Sequence, residues 1–145
     1  MANALFDLGR EGFLAGEIDW DTAVIKSALV RGYTANMATH KFVSDVTGAG
    51  GTLVATSSAL GSKTVTSGVA DAADVTFSAV ASGSAIQNIL VFQASAVTGG
   101  ADVAASAQRV IELIDTTTGV TLPVTPNGGD IVVAWDNGSN KLFKL

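Results

Sequence analysis

The most regular alternation of apolar and polar positions lies at the end of the chain, in residues 131–145. Two apolar runs there flank a polar segment, residues 136–140, that contains Asn137-Gly138. Asn-Gly between two apolar runs is the strongest short-range signal for a β-hairpin. The pattern therefore predicts a terminal hairpin, and we expect earlier strands to pack on it.

Two registers are compatible with this hairpin. A two-residue turn would pair Val133 with Leu142. A loop centred on Gly138 would pair Val133 with Phe143. The second register puts five apolar side chains on one face: Ile131, Val133, Trp135, Phe143 and Leu145. Because a buried face usually fixes the register, we favour the second one and expect Trp135 to be a core residue.

Shorter apolar runs, separated by glycine and polar turns, predict the other strands. They lie at residues 23–31, 53–55, 63–66, 75–80, 86–92 and 109–115. The apolar run at residues 89–92 is typical of a central strand that is covered on both faces. Together these runs predict a mainly β fold, an antiparallel β-sandwich of about seven or eight short strands.

A helical period of apolar residues occurs near the start of the chain, in residues 3–16. Leu5, Leu8 and Phe13 follow this spacing and form a stripe, which makes them the candidate interaction residues. An amphipathic N-terminal helix with a partly apolar face is typical of a segment that docks on its own sheet or on a neighbouring subunit. We expect the helix to dock partly on its own sheet and partly on a neighbouring subunit.

The ends and the interior of this helix carry further signals. Asn3 is a suitable N-cap and Gly16 is a natural C-terminal stop. Gly9 and Gly12 each weaken a helix by roughly 1 kcal/mol, so we expect docking to hold it in place. We therefore predict a single domain, residues 1–145, with a helix at 1–16 and a β-sandwich body at 17–145 that folds without the helix.

The composition fits one domain and indicates what its surface contacts. The chain has 145 residues, of which 48% are hydrophobic and 14% are charged. Such a chain is too apolar for disorder. Because a soluble domain usually carries about 25% charged residues, the low value indicates that much of the surface faces other protein.

Charge and hydropathy argue against several classes of partner. The net charge of −5 argues against nucleic acid, which is bound by basic faces. No apolar run approaches the ~18 residues of a membrane helix, and no basic segment precedes an apolar core as in a signal peptide. The chain has no cysteine, so we expect neither disulfides nor thiolate metal sites.

Candidate chemistry is sparse. His40 is the only histidine, and we expect it to be structural or solvent-facing. It begins a short helical turn at 40–46 that Thr39 is able to cap. The pairs Asp19/Asp21 and Asp71/Asp74 are better explained as turn acids than as metal ligands. The pattern therefore favours a protein without catalytic residues, cofactor or metal, although glycan binding by Trp20, Trp135 or Tyr33 stays open.

Several segments carry a resemblance to known proteins. They are Gly-Arg-Glu-Gly-Phe-Leu-Ala-Gly at 9–16, Ile-Asp-Trp at 18–20, and residues 69–77. The closing block, Pro-Val-Thr-Pro-Asn-Gly-Gly-Asp at 123–130 with Trp-Asp-Asn-Gly at 135–138, is the most specific part. Together they resemble a family of small virion structural proteins of tailed bacteriophages, and the resemblance covers most of the chain.

The resemblance implies a non-enzymatic virion component, made in the host cytoplasm, with no catalytic residues to assign. A capsid cement or decoration protein on the capsid surface fits best. The implied partners are the major capsid protein and other copies of the chain, since surface trimers are common in such roles. The alternatives are a tail, baseplate or fibre component and a glycan-binding adhesin.

Overall fold

Ten strands and two short helices occur in residues 3–145, the range that the structure, a computed structural model, describes. In chain order the elements are β1 (Ala4–Leu5), α1 (Asp7–Leu14), β2 (Val24–Arg31), α2 (Val43–Gly48), β3 (Thr52–Thr56), β4 (Thr64–Thr66), β5 (Val69–Asp71), β6 (Val75–Phe77), β7 (Asn88–Ser95), β8 (Arg109–Ile114), β9 (Ile131–Val133) and β10 (Phe143–Lys144). Neither helix in this range has the length and apolar content to cross a bilayer.

The strands form three antiparallel sheets. The largest has the order β1-β8-β7-β2-β3, the second has β10-β5-β4, and the third pairs β6 with β9. The predicted mainly β, antiparallel fold with a short N-terminal helix is therefore confirmed. Six strands have only two or three residues, which is why the sequence pattern predicted fewer of them.

Strand β7 is the centre of the largest sheet and is covered on both faces, as its apolar run predicted. Ile89 and Val91 belong to one core cluster, whereas Leu90 and Phe92 belong to a second cluster. Side chains alternate across a strand, so an uninterrupted apolar run supplies both faces at once. The second cluster is closed by α2 and by residue Phe6.

The first core cluster joins the largest sheet to the two small sheets. From the largest sheet it includes Ile25 and Leu29, and from the small sheets it includes Phe77, Val133 and Phe143. The small sheets thus share one core with a face of the largest sheet, which is the layered arrangement of a sandwich.

The predicted terminal hairpin is wrong, because β9 and β10 do not pair. Strand β9 pairs with β6, opposing Ile131 to Phe77, and β10 pairs with β5, opposing Phe143 to Ala70. The backbone N–H of Trp135 donates to Asp74 Oδ1 at 3.0 Å, which directs the chain towards the start of β6. The local turn signal was outweighed by pairings between strands that are distant in sequence.

The predicted apolar face nevertheless reaches the core without the hairpin. Ile131, Val133, Trp135 and Phe143 are all buried, whereas Leu145 is 57% exposed. The indole Nε1–H of Trp135 donates to the carbonyl of Ala73 at 2.9 Å. This bond satisfies the polar end of a buried tryptophan, and the prediction that Trp135 is a core residue is confirmed.

Truncation of this tryptophan should be strongly destabilising. Trp135→Ala should lower the free energy of unfolding by about 3–5 kcal/mol, because it leaves a large cavity in the shared core. The matched control is Val132→Ala, which changes a half-exposed side chain in the neighbouring strand and should cost less than about 0.5 kcal/mol. Chemical denaturation measures both, and equal stabilities would contradict a core role for Trp135.

The N-terminal segment differs from the single helix predicted for residues 3–16. It contains β1 and then α1, whose N-cap position is Phe6. Asn3 does not cap the helix. Its side chain instead accepts hydrogen bonds from the backbone N–H groups of Asp115 and Thr116 at 2.9 and 3.0 Å. Gly16 follows the helix with a φ of 73°, as expected of a C-terminal stop.

Helix α1 packs on β8 through its two buried glycines. A Cβ atom added to Gly9 would lie 2.9 Å from the carbonyl oxygen of Ile111 and 3.0 Å from that of Val110. The glycines that weaken the isolated helix are therefore the residues that allow its close approach to the sheet. The expectation that docking holds this helix agrees with that contact.

A methyl group at this contact should reverse the usual effect of alanine in a helix. Gly9→Ala should destabilise the domain by about 1–3 kcal/mol, because α1 must move away from β8. In an open helical position the same change stabilises by up to about 1 kcal/mol. Gly48→Ala, at the end of α2 with nothing within 4 Å, is the control. A Gly9→Ala variant that melts above the parent would disprove the close contact.

The second helix begins later than predicted and has a different cap. Asp45 accepts hydrogen bonds from the backbone N–H groups of Lys41 and Phe42, each at 2.8 Å. These bonds lower the pKa of Asp45, because they stabilise its carboxylate form. The cap is thus Asp45 inside the helix rather than Thr39 before it.

Candidate interaction surface

Strand β10 carries an aromatic cluster that joins it to the N-terminal part of the chain. The ring centroid of Phe143 lies 5.1 Å from that of Trp20 in an edge-on arrangement and 5.7 Å from that of Phe13. Edge-on aromatic pairs of this kind are favourable beyond the area that they bury. Helix α1 and β10 are therefore fixed to each other, and the residues around them form two concave sites.

The first site, which we term the apolar groove, has a volume of about 370 Å³. Its lining residues are Phe13, Gly16, Ile18, Asp19, Trp20, Asp21, Val65, Gly68, Ala70, Phe143 and Leu145. Val65 and Leu145 are 58% and 57% exposed, and Leu14, next to Phe13 in the chain, is 91% exposed. Grouped exposed apolar residues of this kind mark sites of contact with other molecules.

The second site, which we term the polar pocket, has a volume of about 330 Å³. It lies against two strands at sheet edges, β1 and β10. Its charged lining residues are Arg10, Glu112, Asp136, Lys141 and Lys144. Phe143 lines both sites, so the apolar groove and the polar pocket meet at β10.

Glu112 is the most unusual residue of the polar pocket. It is only 2% exposed, and its neighbours across the sheet are Leu5 of β1 and Val91 of β7. Its Oε2 atom is buried without a hydrogen-bond partner among the described residues. Loss of hydration disfavours the carboxylate form, and burial raises the pKa of Glu112 to about 8. Burial therefore favours the uncharged form of this side chain at pH 7.

The cations that line the polar pocket differ in their own partners. Arg10 pairs with Asp7 at 3.1 Å, and Lys141 pairs with Asp71 at 3.5 Å. Lys144 has no ion pair within residues 3–145. Exposed pairs of this kind contribute about 0–1 kcal/mol, so they leave Arg10 and Lys141 free to change partners.

Arg109, a buried arginine of β8, holds α1 to the largest sheet. Arg109 is 4% exposed, donates from Nη2 to the carbonyl of Leu8 and pairs through Nη1 with Glu17. Its guanidinium also lies 5.8 Å from the ring centroid of Phe42. Arg109 thus ties the helix and the following turn to the sheet, which makes it a structural residue of this surface.

The three candidate interaction residues do not form one stripe on the helix. Leu5 precedes α1, lies buried in β1 and lines the polar pocket. Phe13 lines the apolar groove and contacts Phe143. Leu8 is half-buried and lines neither site. The helical spacing assigned Leu5 to the helix. Leu5 instead belongs to β1, because it pairs with Glu112 of β8.

Two features of the surface were missed at the level of sequence. Glu112 stands alone between Ile111 and Leu113 in a strand that is otherwise apolar after Arg109, and that isolation was a readable signal. The contribution of Val65 to the apolar groove had no such signal, because it depends on the pairing of β4 with β5 and of β5 with β10.

Asp19 and His40, which were considered for metal binding and for catalysis, form hydrogen bonds with neighbouring residues. Asp19 accepts hydrogen bonds from the backbone N–H groups of Asp21 and Thr22 and from the Thr22 hydroxyl, which lowers its pKa. His40 Nδ1 lies 2.6 Å from the Tyr33 hydroxyl. Within residues 3–145, no group of three or more histidine, cysteine or acidic side chains is placed to hold a metal ion.

Comparison with known proteins adds no relative. No family model, no curated protein and no solved structure matched the chain.

Proposed function

We propose that the chain is a non-enzymatic virion structural protein of a tailed bacteriophage, a capsid cement or decoration protein that binds across capsid subunits. The observation that carries the proposal is the apolar groove, with Val65 and Leu145 exposed at its margin. It occurs in a chain with only 14% charged residues and with segments that resemble such virion proteins. An apolar surface on a weakly charged protein suits a broad contact with other subunits.

Sheet edges provide a second means of contact with the capsid. Strand β4 is one of the two edge strands of the second sheet, and all three of its residues are exposed. Strand β3 is an edge strand of the largest sheet, at the opposite side from β1. An extended segment of the major capsid protein is able to add a strand at such an edge through main-chain hydrogen bonds. This mode of binding places little demand on side chains, which suits a strand such as Thr-Val-Thr.

The proposed mechanism of stabilisation is mass action. A protein that binds the assembled lattice but not free capsid subunits favours the assembled state by RT ln(1 + [L]/Kd) for each site. At a concentration one hundred times Kd, this is about 2.7 kcal/mol per site. Because a capsid repeats its sites many times, a moderate affinity is sufficient to resist opening of the head.

The proposal is tested with particles produced with and without the gene for this chain. We expect mass spectrometry to find the protein in mature particles, and particles without it to release DNA at lower temperature. Electron microscopy of the labelled protein should place it on the head. Absence from particles would refute a virion role. A position on the tail would replace the cement function with a tail, baseplate or fibre function.

A further inference from the structure

We propose that the polar pocket binds the carboxylate of an extended peptide segment. Glu112 donates a hydrogen bond to this carboxylate, and Lys144 supplies the positive charge that pairs with it. The inference does not depend on the virion role. It starts from a buried acid whose Oε2 atom has no partner in residues 3–145, at the wall of a cavity of about 330 Å³. Buried polar groups are normally paired, so an unpaired one at the wall of a cavity is a candidate contact for a ligand.

The charge of the pocket selects an anionic ligand over a cationic one. Arg10, Lys141 and Lys144 face the cavity, against Asp136 as the only acid other than Glu112. The facing residues of β1 and β7, Leu5 and Val91, are apolar and add no charge. An uncharged carboxylic acid has one O–H to donate, and a carboxylate is a strong acceptor.

The shape of the surroundings selects a peptide as the carrier of that carboxylate. Strands β1 and β10 both line the pocket, and each is the terminal strand of its sheet. A terminal strand has main-chain groups on one side that no neighbouring strand pairs, and an extended peptide is able to use them. The pocket volume accommodates one side chain or a chain end, which fits an acidic residue or a C-terminus.

The role of Glu112 as donor makes peptide binding depend on pH in a defined direction. Burial raises the pKa of Glu112 to about 8, so at pH 9 about one molecule in ten retains the donor proton. Ionised Glu112 would repel a carboxylate. Affinity for an acidic peptide should therefore fall about tenfold between pH 7 and pH 9.

The experiment follows the backbone amide NMR signals of β1 and β10 during titration with short peptides. The probes are acetyl-Thr-Val-Thr-Glu-amide, its Gln counterpart, its Lys counterpart, and acetyl-Thr-Val-Thr-Val with a free C-terminal carboxylate. We expect the Glu peptide, the free-carboxylate peptide or both to bind at pH 7, which distinguishes a side-chain carboxylate from a chain terminus. The Gln peptide should bind at least about tenfold more weakly, because it lacks the charge.

Two variants distinguish hydrogen-bond donation by Glu112 from the positive charge of Lys144. Glu112→Gln keeps an uncharged donor at every pH, so it should bind the acidic peptide equally at pH 7 and pH 9. Lys144→Ala should weaken binding at both values without removing the pH dependence. If Glu112→Gln does not fold, the pH titration of the parent protein and the Lys144→Ala variant still decide the question.

Four results would overturn the inference. They are the absence of binding by both carboxylate peptides, equal binding of the Gln peptide, equal affinity of the parent protein at pH 7 and pH 9, and a preference for the Lys peptide. The last result would identify the pocket as a site for cations.

Discussion

Deletion of residues 1–16 should abolish the cooperative unfolding transition of the domain. The segment supplies β1, the terminal strand of the largest sheet, and Phe6, which is fully buried in the second core cluster. The sequence pattern favoured a body that folds without this segment, because it assigned residues 3–16 to a helix on the surface. The contacts of Phe6 change that expectation.

The size of the effect follows from the groups that lose their contacts. Truncation of a buried phenylalanine alone costs about 3–5 kcal/mol. The deletion also removes the Leu8 carbonyl that accepts a hydrogen bond from Arg109, and a buried donor that loses its acceptor costs about 1–3 kcal/mol more. Together with the loss of β1, these costs are comparable to the whole stability of a small domain, about 5–15 kcal/mol.

Circular dichroism during heating, with the dispersion of the NMR signals, measures this result. Leu14→Ala is the control, because Leu14 belongs to the same segment but is 91% exposed. Its free energy of unfolding should lie within about 0.5 kcal/mol of that of the parent protein. A truncated protein that melts cooperatively near the parent temperature would show that β1 and α1 are accessory to the domain.

Substitution of Glu112 by glutamine should stabilise the protein at alkaline pH and change its free energy of unfolding little at acidic pH. Burial raises the pKa of Glu112 from 4.5 to about 8 in the folded state. Between these values the unfolded chain releases the proton while the folded chain keeps it. Increasing pH therefore favours unfolding through this range, and the stability that the protonated group contributes is lost as pH rises to 8.

The loss amounts to at most about 5 kcal/mol, since each unit of pKa difference corresponds to about 1.36 kcal/mol. The glutamine variant lacks this dependence, so its advantage over the parent should grow from pH 4.5 to pH 8 and then stay constant. Chemical denaturation at a series of pH values measures the difference. Glu11→Gln, on the exposed side of α1, serves as a control for general charge effects. Parallel stability curves for the parent and Glu112→Gln would contradict the burial of an uncharged acid.

The elements that sequence predicted well are those whose signal is local. The run at residues 89–92 specified a covered central strand, and Gly16 marked the end of α1. The pairing of β9 with β6 and of β10 with β5 depends on contacts that cross much of the chain, and no local pattern encodes them. A strand presents the same apolar face to any suitable partner, so burial was predictable where pairing was not.

The interaction surface was less predictable for the same reason. Phe13 was selected by its helical spacing, but the groove that it lines also needs Trp20, Val65 and Phe143 from three other parts of the chain. The assembled groove therefore appears only when the sheets are in place. Glu112 was visible as a lone acid in an apolar strand, yet its role depends on the cavity beside it.

We propose that this chain binds the outside of an assembled phage head through the apolar groove. The most direct measurement is the number of copies bound per particle, when the purified protein is added to particles grown without its gene. Val65→Asp changes an exposed residue at the groove, whereas Val97→Asp changes an exposed residue that lines neither concave site. We predict saturable binding to heads by the parent protein and by Val97→Asp, with strongly reduced occupancy for Val65→Asp. No binding by the parent protein, or equal occupancy for all three, would contradict a role of the apolar groove in binding to heads.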